Sequence, residues 1–217
     1  MKIATKKITL LTTIAMLIPL LTAAQSFSPG VKVGANLSTI STGLSSSNDW
    51  RVGFQAGVFG NIRLNDYTAL QPELMYAQKG SRSNYDKEFL GGEVEEAIAE
   101  FNMSFINLPV LFNFRAMDRL NVFVGPYFSY LLKGEIDADP EILTYINAES
   151  NDDIDRDNFN DYDIGLQVGV GFDIKDFRLG FDYSFGFIPV AKNDDQLDKI
   201  LEDSTNSTFQ IYGGFVF

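Results

Sequence analysis

"DYDIGLQVGVGFDIKDFRLGFDYSFGF", residues 161–187, is the stretch that decides the fold class. Apolar residues alternate with polar or small ones on both sides of the short segment "IKD". One face carries Tyr162, Ile164, Leu166, Val168, Val170, Phe172, Phe177, Leu179, Phe181, Tyr183, Phe185 and Phe187. A period of two indicates a β-hairpin with one apolar face. Either protein or lipid must cover that face.

The first 24 residues are predicted to be a cleaved signal peptide. "MKIATKK" is basic, "ITLLTTIAMLIPLL" is apolar, and "TAAQS" is a run of small residues suited to cleavage after Ala24. The apolar part contains Pro19 and is shorter than the roughly 20 residues of a spanning helix. We therefore predict a signal peptide over 1–24 and one exported domain over 25–217, rather than a retained anchor.

The composition excludes several classes of function. The 217 residues include 17 Lys and Arg, 29 Asp and Glu, and neither Cys nor His. Removal of the three lysines of the signal lowers the net charge from −12 to −15, so no nucleic-acid partner is expected. Without Cys, disulfides, thiolate metal sites and a lipoprotein anchor are excluded. Without His, the commonest general base is absent.

Period-two alternation recurs along the exported domain. Besides the two strands of the opening hairpin, it occurs over residues 30–37, 51–64, 68–79, 106–115, 119–133 and 208–217. This pattern predicts eight strands. Short links join strands two and three, four and five, and six and seven, whereas the other links are long: 38–50, 80–102, 134–160 and 188–207. Strict alternation of short and long links is typical of an up-and-down barrel. Within the second long link, "EVEEAIAE" (93–100) is compatible with a turn or two of helix.

Three features indicate that the apolar face contacts lipid. The polar face is rich in Gly, Asn, Gln and Ser, which suits a narrow wet lumen better than an exposed strand surface. Aromatic residues gather at both ends of the apolar faces, as in the girdles of outer-membrane barrels: Trp50, Tyr76, Tyr130, Tyr162 and Phe187 at one rim, and Tyr67, Phe114, Phe172, Phe177 and Phe217 at the other. The last strand also ends on an aromatic residue. We expect Phe215 and Phe217 to form a C-terminal assembly signal for the barrel-assembly machinery.

These arguments predict an all-β protein, an eight-stranded antiparallel up-and-down transmembrane β-barrel in the outer membrane. In hydrocarbon, every backbone polar group needs a partner within the protein, so the sheet has to close. Outer-membrane lipid is therefore the first expected partner. A soluble periplasmic lipid carrier, with its apolar face turned inward, is the competing interpretation.

The sequence resembles the PorT-like outer-membrane β-barrel family of Gram-negative bacteria. The resemblance rests on the order of "FSPGVKVGANLS", "FINLPVLFNFR", "VFVGPYFSYLL", "DYDIGLQVGVGFDI" and the closing "YGGFVF". It covers essentially all of residues 27–217 and implies an eight-stranded barrel in the outer membrane. The family does not imply one activity, although one branch is associated with secretion or gliding machinery.

Charged residues at inward positions are the first candidates for a functional site. We predict a lumen ion-pair network made of Arg51, Arg63, Glu73, Arg115, Lys133, Asp163, Asp173, Arg178 and Asp182, together with Lys32. Mixed charges in a narrow space favour a structural plug, because unpaired buried charges are costly. A selective pore or a ligand slot is the alternative.

The four long links hold all of the net negative charge of the exported domain and are the second candidates. In "NDDIDRDNFND", Asp153, Asp155 and Asp157 have the alternate spacing of calcium loops. Asn158 replaces the expected Gly, and Ile164 replaces the Glu at the twelfth position. A solvated acidic loop is therefore the simpler interpretation, and a divalent cation at these loops is the alternative. No other cofactor is expected.

Catalysis is not expected, because the chain lacks His and shows no distinct Ser–Lys or Asp dyad spacing. The sequence favours a non-catalytic outer-membrane barrel that presents four acidic surface loops for interaction with an extracellular or envelope partner or for envelope integrity. A small-solute channel or a secretion-associated component is the alternative.

Overall fold

The alternating segments pair edge to edge until the sheet closes on itself. The computed structural model describes residues 27–41, 47–86, 96–140, 142–143, 150, 158–191 and 204–217. Its strands are β1 (Phe27–Ser41), β2 (Ser47–Arg63), β3 (Thr68–Asp86), β4 (Glu96–Arg115), β5 (Leu120–Ala138), β6 (Tyr162–Ile174), β7 (Phe177–Pro189) and β8 (Thr205–Val216). Each strand pairs with its neighbours in the sequence, and the order is that of a closed barrel. The predicted eight-stranded antiparallel up-and-down barrel is confirmed.

Pairing between the first and last strands closes the barrel. β1 and β8 are antiparallel, with Val31 opposite Phe215 and Ala35 opposite Ile211. At the rim, the backbone N–H of Phe217 donates to the carbonyl of Pro29 at 2.8 Å. Closure leaves no edge strand that needs a partner from another chain.

Three short turns form one rim of the barrel. In the β2–β3 turn, Asn65 Oδ1 accepts hydrogen bonds from the backbone N–H groups of Tyr67 and Thr68, both at 2.9 Å. In the β6–β7 turn, Lys175 has a φ of 56°, a left-handed conformation that a two-residue hairpin link requires. Local side-chain and backbone geometry thus fixes this rim, here called the short-turn rim.

The period of two orients the side chains as the sequence predicts. In β6, Val168 and Val170 face outward and are exposed, whereas Asp163 and Gln167 on the other face of the strand are buried inside. β7 repeats the pattern, with Phe181 exposed and Asp182 buried. The barrel therefore has an apolar outer band and a polar lumen.

The strands on one side of the barrel are longer than the sequence predicted. β3, β4 and β5 have 19, 20 and 19 residues, whereas β6, β7 and β8 have 13, 13 and 12. The predicted link over 80–102 is wrong, because β3 continues to Asp86 and β4 begins at Glu96. The possible helix over 93–100 is also wrong for its last five residues, which belong to β4. No helix in the described ranges is long and apolar enough to cross a membrane.

On the long-loop side, β3 to β5 extend beyond the apolar outer band, and in this extension the inward and outward faces have the opposite polarity. In β4, Phe101, Met103 and Phe105 face inward and are buried, while Asn102 and Ser104 between them face outward. The inward residues pack as the apolar plug, a cluster of Ile40, Ala99, Phe101, Met103, Phe105, Leu131, Ile136, Ala138, Ile142, Phe159, Val190 and Ala191. This part of the wall is organised like a water-soluble protein, with its apolar core inside.

Candidate functional site

Near the short-turn rim, the lumen is occupied by a hydrogen-bonded lattice centred on Arg178. Its Nε and Nη2 donate to Asp173 at 2.6 and 3.1 Å, and its Nη1 donates to Gln71 Oε1 at 2.8 Å. Asn113 Nδ2 donates to the same Gln71 oxygen at 2.8 Å, and Asn121 Nδ2 donates to Asp173 at 2.7 Å. The planar guanidinium group fixes its acceptors in one geometry. The lattice therefore connects strands β3 to β7 across the lumen.

Lys32 forms a second ion-pair centre that is joined to the lattice. Its Nζ lies 3.1 Å from Glu73 Oε2 and 3.4 Å from Asp182 Oδ2, and all three side chains are buried. Gln71 Nε2 donates to Glu73 Oε1 at 2.7 Å. The ammonium group also lies 3.9 Å from the centroid of the Tyr212 ring. Two carboxylates thus share one cation, and removal of that cation would leave both carboxylates buried without it.

Lys79 lies further from the short-turn rim and has a different environment. Its Nζ lies 4.9 Å from the centroid of the Tyr127 ring and 5.3 Å from that of Phe105. Within the described part of the chain, this Nζ is buried and has no hydrogen-bond partner. The Tyr127 hydroxyl donates to Asp163 Oδ2 at 2.9 Å. Aromatic faces, rather than a direct carboxylate contact, hold this cation.

The apolar plug closes the lumen beyond Lys79. Phe159 lies at its centre, and a Cβ added to Gly134 would come within 2.5 Å of the Phe159 ring. The next residue, Asn160, donates from Nδ2 to the carbonyls of Pro189 and Ala191 at 2.7 and 3.0 Å. These bonds hold the segment that carries Phe159 across the end of the barrel opposite the short turns.

A polar cavity of about 320 Å³ opens at the short-turn rim, and the Arg178 lattice forms its floor. Arg63 and Arg115 line its mouth and are exposed. Among the described residues, neither arginine forms an ion pair. This cavity, here called the vestibule, is blind because the lattice, the second ion-pair centre and the plug lie behind it.

Seven of the nine charged residues predicted for the lumen line it or its mouth: Arg63, Glu73, Arg115, Asp163, Asp173, Arg178 and Asp182. The structure brings Asp173 and Arg178 into one ion pair, and it joins Glu73 to Asp182 through Lys32. Asp163 bonds to a tyrosine instead of to a cation.

Arg51 and Lys133 are corrections, because both lie on the outer wall. β5 contains one extra residue at the register shift between Ser104 and Phe105, and beyond it Lys133 is exposed and pairs with Glu135 at 2.6 Å. β2 contains another register shift between Trp50 and Gln55, and Arg51 Nε donates from there to Glu100 at 3.1 Å. An extra residue breaks the period of two and moves the next side chain to the other face.

The predicted lumen network did not include Lys79, Gln71, Asn113 and Tyr127, which the structure places in the lumen. Lys79 and Gln71 continue the odd-numbered inward series of β3, so the alternation in "LQPELMYAQK" could have identified both. Tyr127 was obscured because it follows Pro126 and precedes the outward Phe128 in an almost wholly apolar run.

The signal peptide, the candidate cation ligands and the C-terminal assembly signal formed by Phe215 and Phe217 all stay predictions. The signal peptide over 1–24 and the candidate cation ligands Asp153, Asp155 and Asp157 lie outside the described residues, so these assignments stay predictions. Within the described ranges, no cluster of three or more acidic residues could hold a metal ion. The Phe215 ring packs edge-on against Phe177 at 5.0 Å on the outer wall.

Comparison with known proteins places this geometry in a family context. Residues 23–192 match the family described as outer membrane protein beta-barrel domain. Neisserial surface protein A is similar in structure, with a TM-score of 0.51 at 13% identity, over 89% of this chain and 100% of that one. Ail, the attachment invasion locus protein of Yersinia pestis, gives 0.48 at 12% identity over 89% and 100%, in a complex with the heparin analogue sucrose octasulfate. OprG from Pseudomonas aeruginosa gives 0.44 at 9% identity over 88% and 96%. No curated protein matches the chain.

Proposed function

The chain belongs to the family of outer-membrane protein β-barrel domains, and from this premise we propose that it is a non-catalytic barrel whose four acidic loops serve surface interaction or envelope integrity. The filled lumen is the observation that carries the proposal. The barrel resides in the outer membrane, so its apolar band contacts lipid. The PorT-like branch is the finer assignment that we propose within this family.

The filling of the lumen supports a barrel that presents loops and does not conduct, rather than one that passes solutes. An eight-stranded barrel has an interior just wide enough for its own side chains. Here the Arg178 lattice, the Lys32 centre and the apolar plug occupy successive levels of it. A conducting path would require all three levels to rearrange.

The orientation of the barrel supports a surface role for the loops. Outer-membrane barrels place short turns in the periplasm and longer loops outside the cell. The predicted acidic links then face outward, next to anionic headgroups where divalent ions can bridge. Many of their residues lie outside the described ranges, so their acidity enters this proposal through the sequence.

The lack of catalysis is part of the same proposal. The chain contains neither His nor Cys. Arg178, Asp173 and Lys32 are already held in ion pairs, so they are poorly placed to exchange protons with a substrate.

The vestibule supports a second candidate, a solute-transport or secretion-associated role. It opens towards the periplasm, and its mouth carries two exposed arginines. A blind polar cavity is suited to docking a periplasmic segment, and it would also be the entrance of a channel if the lattice opened.

Two assembly partners complete the proposal. The signal peptide over 1–24 would direct export, and Phe215 and Phe217 would present the last strand to the barrel-assembly machinery. Phe215 lies near the end of β8 and Phe217 directly follows the strand, and their ring centroids are 5.3 Å apart.

Planar-bilayer conductance of the purified chain tests the choice between the two candidates. We expect no steady openings from the wild type. Steady, ion-selective openings would contradict the non-conducting barrel and favour the channel. A pull-down from intact cells, with residues 144–157 deleted in the comparison sample, tests the loops. If the deletion removes no bound partner and leaves envelope permeability unchanged, the loop function is wrong.

A further inference from the structure

A polar groove lies on the outer wall of the barrel, beyond the apolar band on the long-loop side. It has a volume of about 370 Å³ and crosses strands β2 to β5. The side chains that line this outer groove include Arg51, Gln78, Asn102, Ser104, Lys133 and Glu135. Because hydrocarbon offers polar side chains no partners, these side chains lie against either water or lipid headgroups.

Two register shifts bring the cations to this groove. The extra residue in β5 turns Lys133 outward, and the extra residue in β2 lets Arg51 reach Glu100 on the outside of β4. Without these shifts, the alternation would place both cations in the lumen. β-Bulges commonly re-orient a side chain at a functional position. Here the bulges in β2 and β5 turn Arg51 and Lys133 to the same outer surface.

The groove retains hydrogen-bonding capacity that the protein does not use. Arg51 bonds to Glu100 through Nε, and its two terminal nitrogens have no partner among the described residues. Lys133 has one carboxylate partner for its three N–H groups. Asn102 Oδ1 is buried and has no partner within the described ranges. The two glutamates hold the cations in place, and the residues that carry the remaining donors line the groove.

The groove lies at the level of the lipid headgroups. On β4, the outward apolar residues run from Phe114 to Ile106, and eight residue steps of about 3.4 Å at a tilt of about 40° span roughly 21 Å. This distance is close to the apolar band of an outer-membrane barrel, about 25 Å. Ser104 and Asn102 are the next two outward positions of that strand. They therefore fall in the interfacial layer, which is several ångströms thick on each side.

We propose that the outer groove binds the phosphorylated sugar headgroup of a glycolipid in the outer leaflet. Arg51 and Lys133 would contact the phosphate, because charge-assisted N–H···O bonds are the strongest contacts available to such a group. Asn102, Gln78 and Ser104 would bond to the sugar hydroxyls. The inference concerns the wall of the barrel, and it does not depend on the function proposed for the loops.

A glycerophospholipid could supply the same phosphate, so the neutral residues decide between the two sources. Gln78 and Asn102 offer amide donors and acceptors beside the cations. Gln78 Nε2 donates to the Tyr76 hydroxyl at 3.5 Å, and a phosphodiester with a small headgroup offers the two amides fewer hydroxyls than a sugar does. A phosphorylated sugar has hydroxyls for them, which is why we assign the groove to a glycolipid.

Binding of purified lipids to the full chain in detergent micelles tests the proposal. The probes are diphosphoryl lipid A and phosphatidylglycerol, with phosphatidylcholine as the neutral reference, and native mass spectrometry gives the dissociation constants. We expect Arg51→Gln with Lys133→Gln to weaken lipid A binding at least about tenfold, the loss expected for two charge-assisted contacts. The matched control, Arg119→Gln with Lys175→Gln, removes the same charge at the opposite rim and should bind lipid A as the wild type does.

A second variant separates the sugar from the phosphate. Asn102→Ala with Gln78→Ala keeps both cations, and it should weaken lipid A binding while phosphatidylglycerol binding stays unchanged. Heat-modifiable migration on gels verifies folding of every variant. The proposal is overturned if the double cation variant binds lipid A like the wild type, if the control loses as much affinity, or if phosphatidylglycerol binds as tightly as lipid A.

Discussion

Arg178 and Asp173 are directly paired across the β6–β7 hairpin and are joined by two hydrogen bonds of 2.6 and 3.1 Å inside the lumen. The two-residue turn places them opposite each other, so the hairpin can form this contact before the barrel closes. The other hydrogen bonds of Arg178 and Asp173, to Gln71 and Asn121, need β3 and β5. The pair therefore links a local turn to the closed barrel.

Asp173→Asn should lower the free energy of unfolding by about 1–3 kcal/mol, the usual value of a hydrogen bond to a charged group. The partial exposure of Asp173 places the effect towards the lower end. Guanidinium unfolding in micelles, followed by fluorescence of the single Trp50, measures it. Asp176→Asn in the adjacent turn is the control and should change little. Equal losses in both variants would contradict a specific role for the pair.

The two buried lysines should respond differently to the same substitution. Lys32→Met leaves Glu73 and Asp182 without their cation and should cost about 3–5 kcal/mol. Lys79→Met removes an ammonium group held by two aromatic rings, and its cost should be below about 2 kcal/mol. The same unfolding measurement compares them. A loss for Lys79→Met as large as that for Lys32→Met would show that Lys79 has a stronger partner than the rings.

Phe159→Ala should destabilise the plug and leave the band below it intact. Truncation of a fully buried Phe costs about 3–5 kcal/mol. Hydrogen exchange should accelerate at Asn160, whose N–H donates to the Val190 carbonyl, and at Val190, whose N–H donates to the Ser204 carbonyl. It should stay unchanged at Val168. Met117→Ala in an exposed turn is the control. Faster exchange throughout the barrel would mean that the plug and the band unfold together.

Phe215→Ala should impair assembly in cells more than it impairs stability. The side chain lies on the outer wall between Phe177 and Phe217, where a receptor for the last strand can reach it. The folded fraction in isolated outer membranes should fall, while refolding into detergent should proceed nearly as in the wild type. Phe209→Ala, another outward aromatic of β8, is the control. Equal defects in both settings would identify Phe215 as a packing residue only.

The alternation in the sequence is sufficient to predict the barrel. Each strand of the apolar band repeats its outward residues every second position, and the two-residue link at Lys175 fixes the register of the β6–β7 hairpin. The inward positions of the acidic residues Glu73, Asp163 and Asp182 follow from the same period.

The sequence does not reveal where this period is interrupted. A single extra residue near Leu132 moves Lys133 to the outer wall, and the only sign is the pair of adjacent leucines before it. The part of β3 and β4 on the long-loop side was predicted as a link because its polarity is reversed. There, Phe101 and Met103 point inward and Asn102 points outward. A search for outward apolar residues interprets such a segment as a loop.

Because of this reversal, one continuous set of strands is adapted to two solvents. Below the outer groove, transfer from water to lipid stabilises the wall, whereas above it burial away from water does so, as in any soluble domain. Urea in the aqueous phase should therefore act on the plug and its loops at concentrations that the lipid-embedded part withstands. Selection on the cell exterior can reshape the upper part by the rules of soluble proteins, while the lower part remains constrained by the thickness of the bilayer.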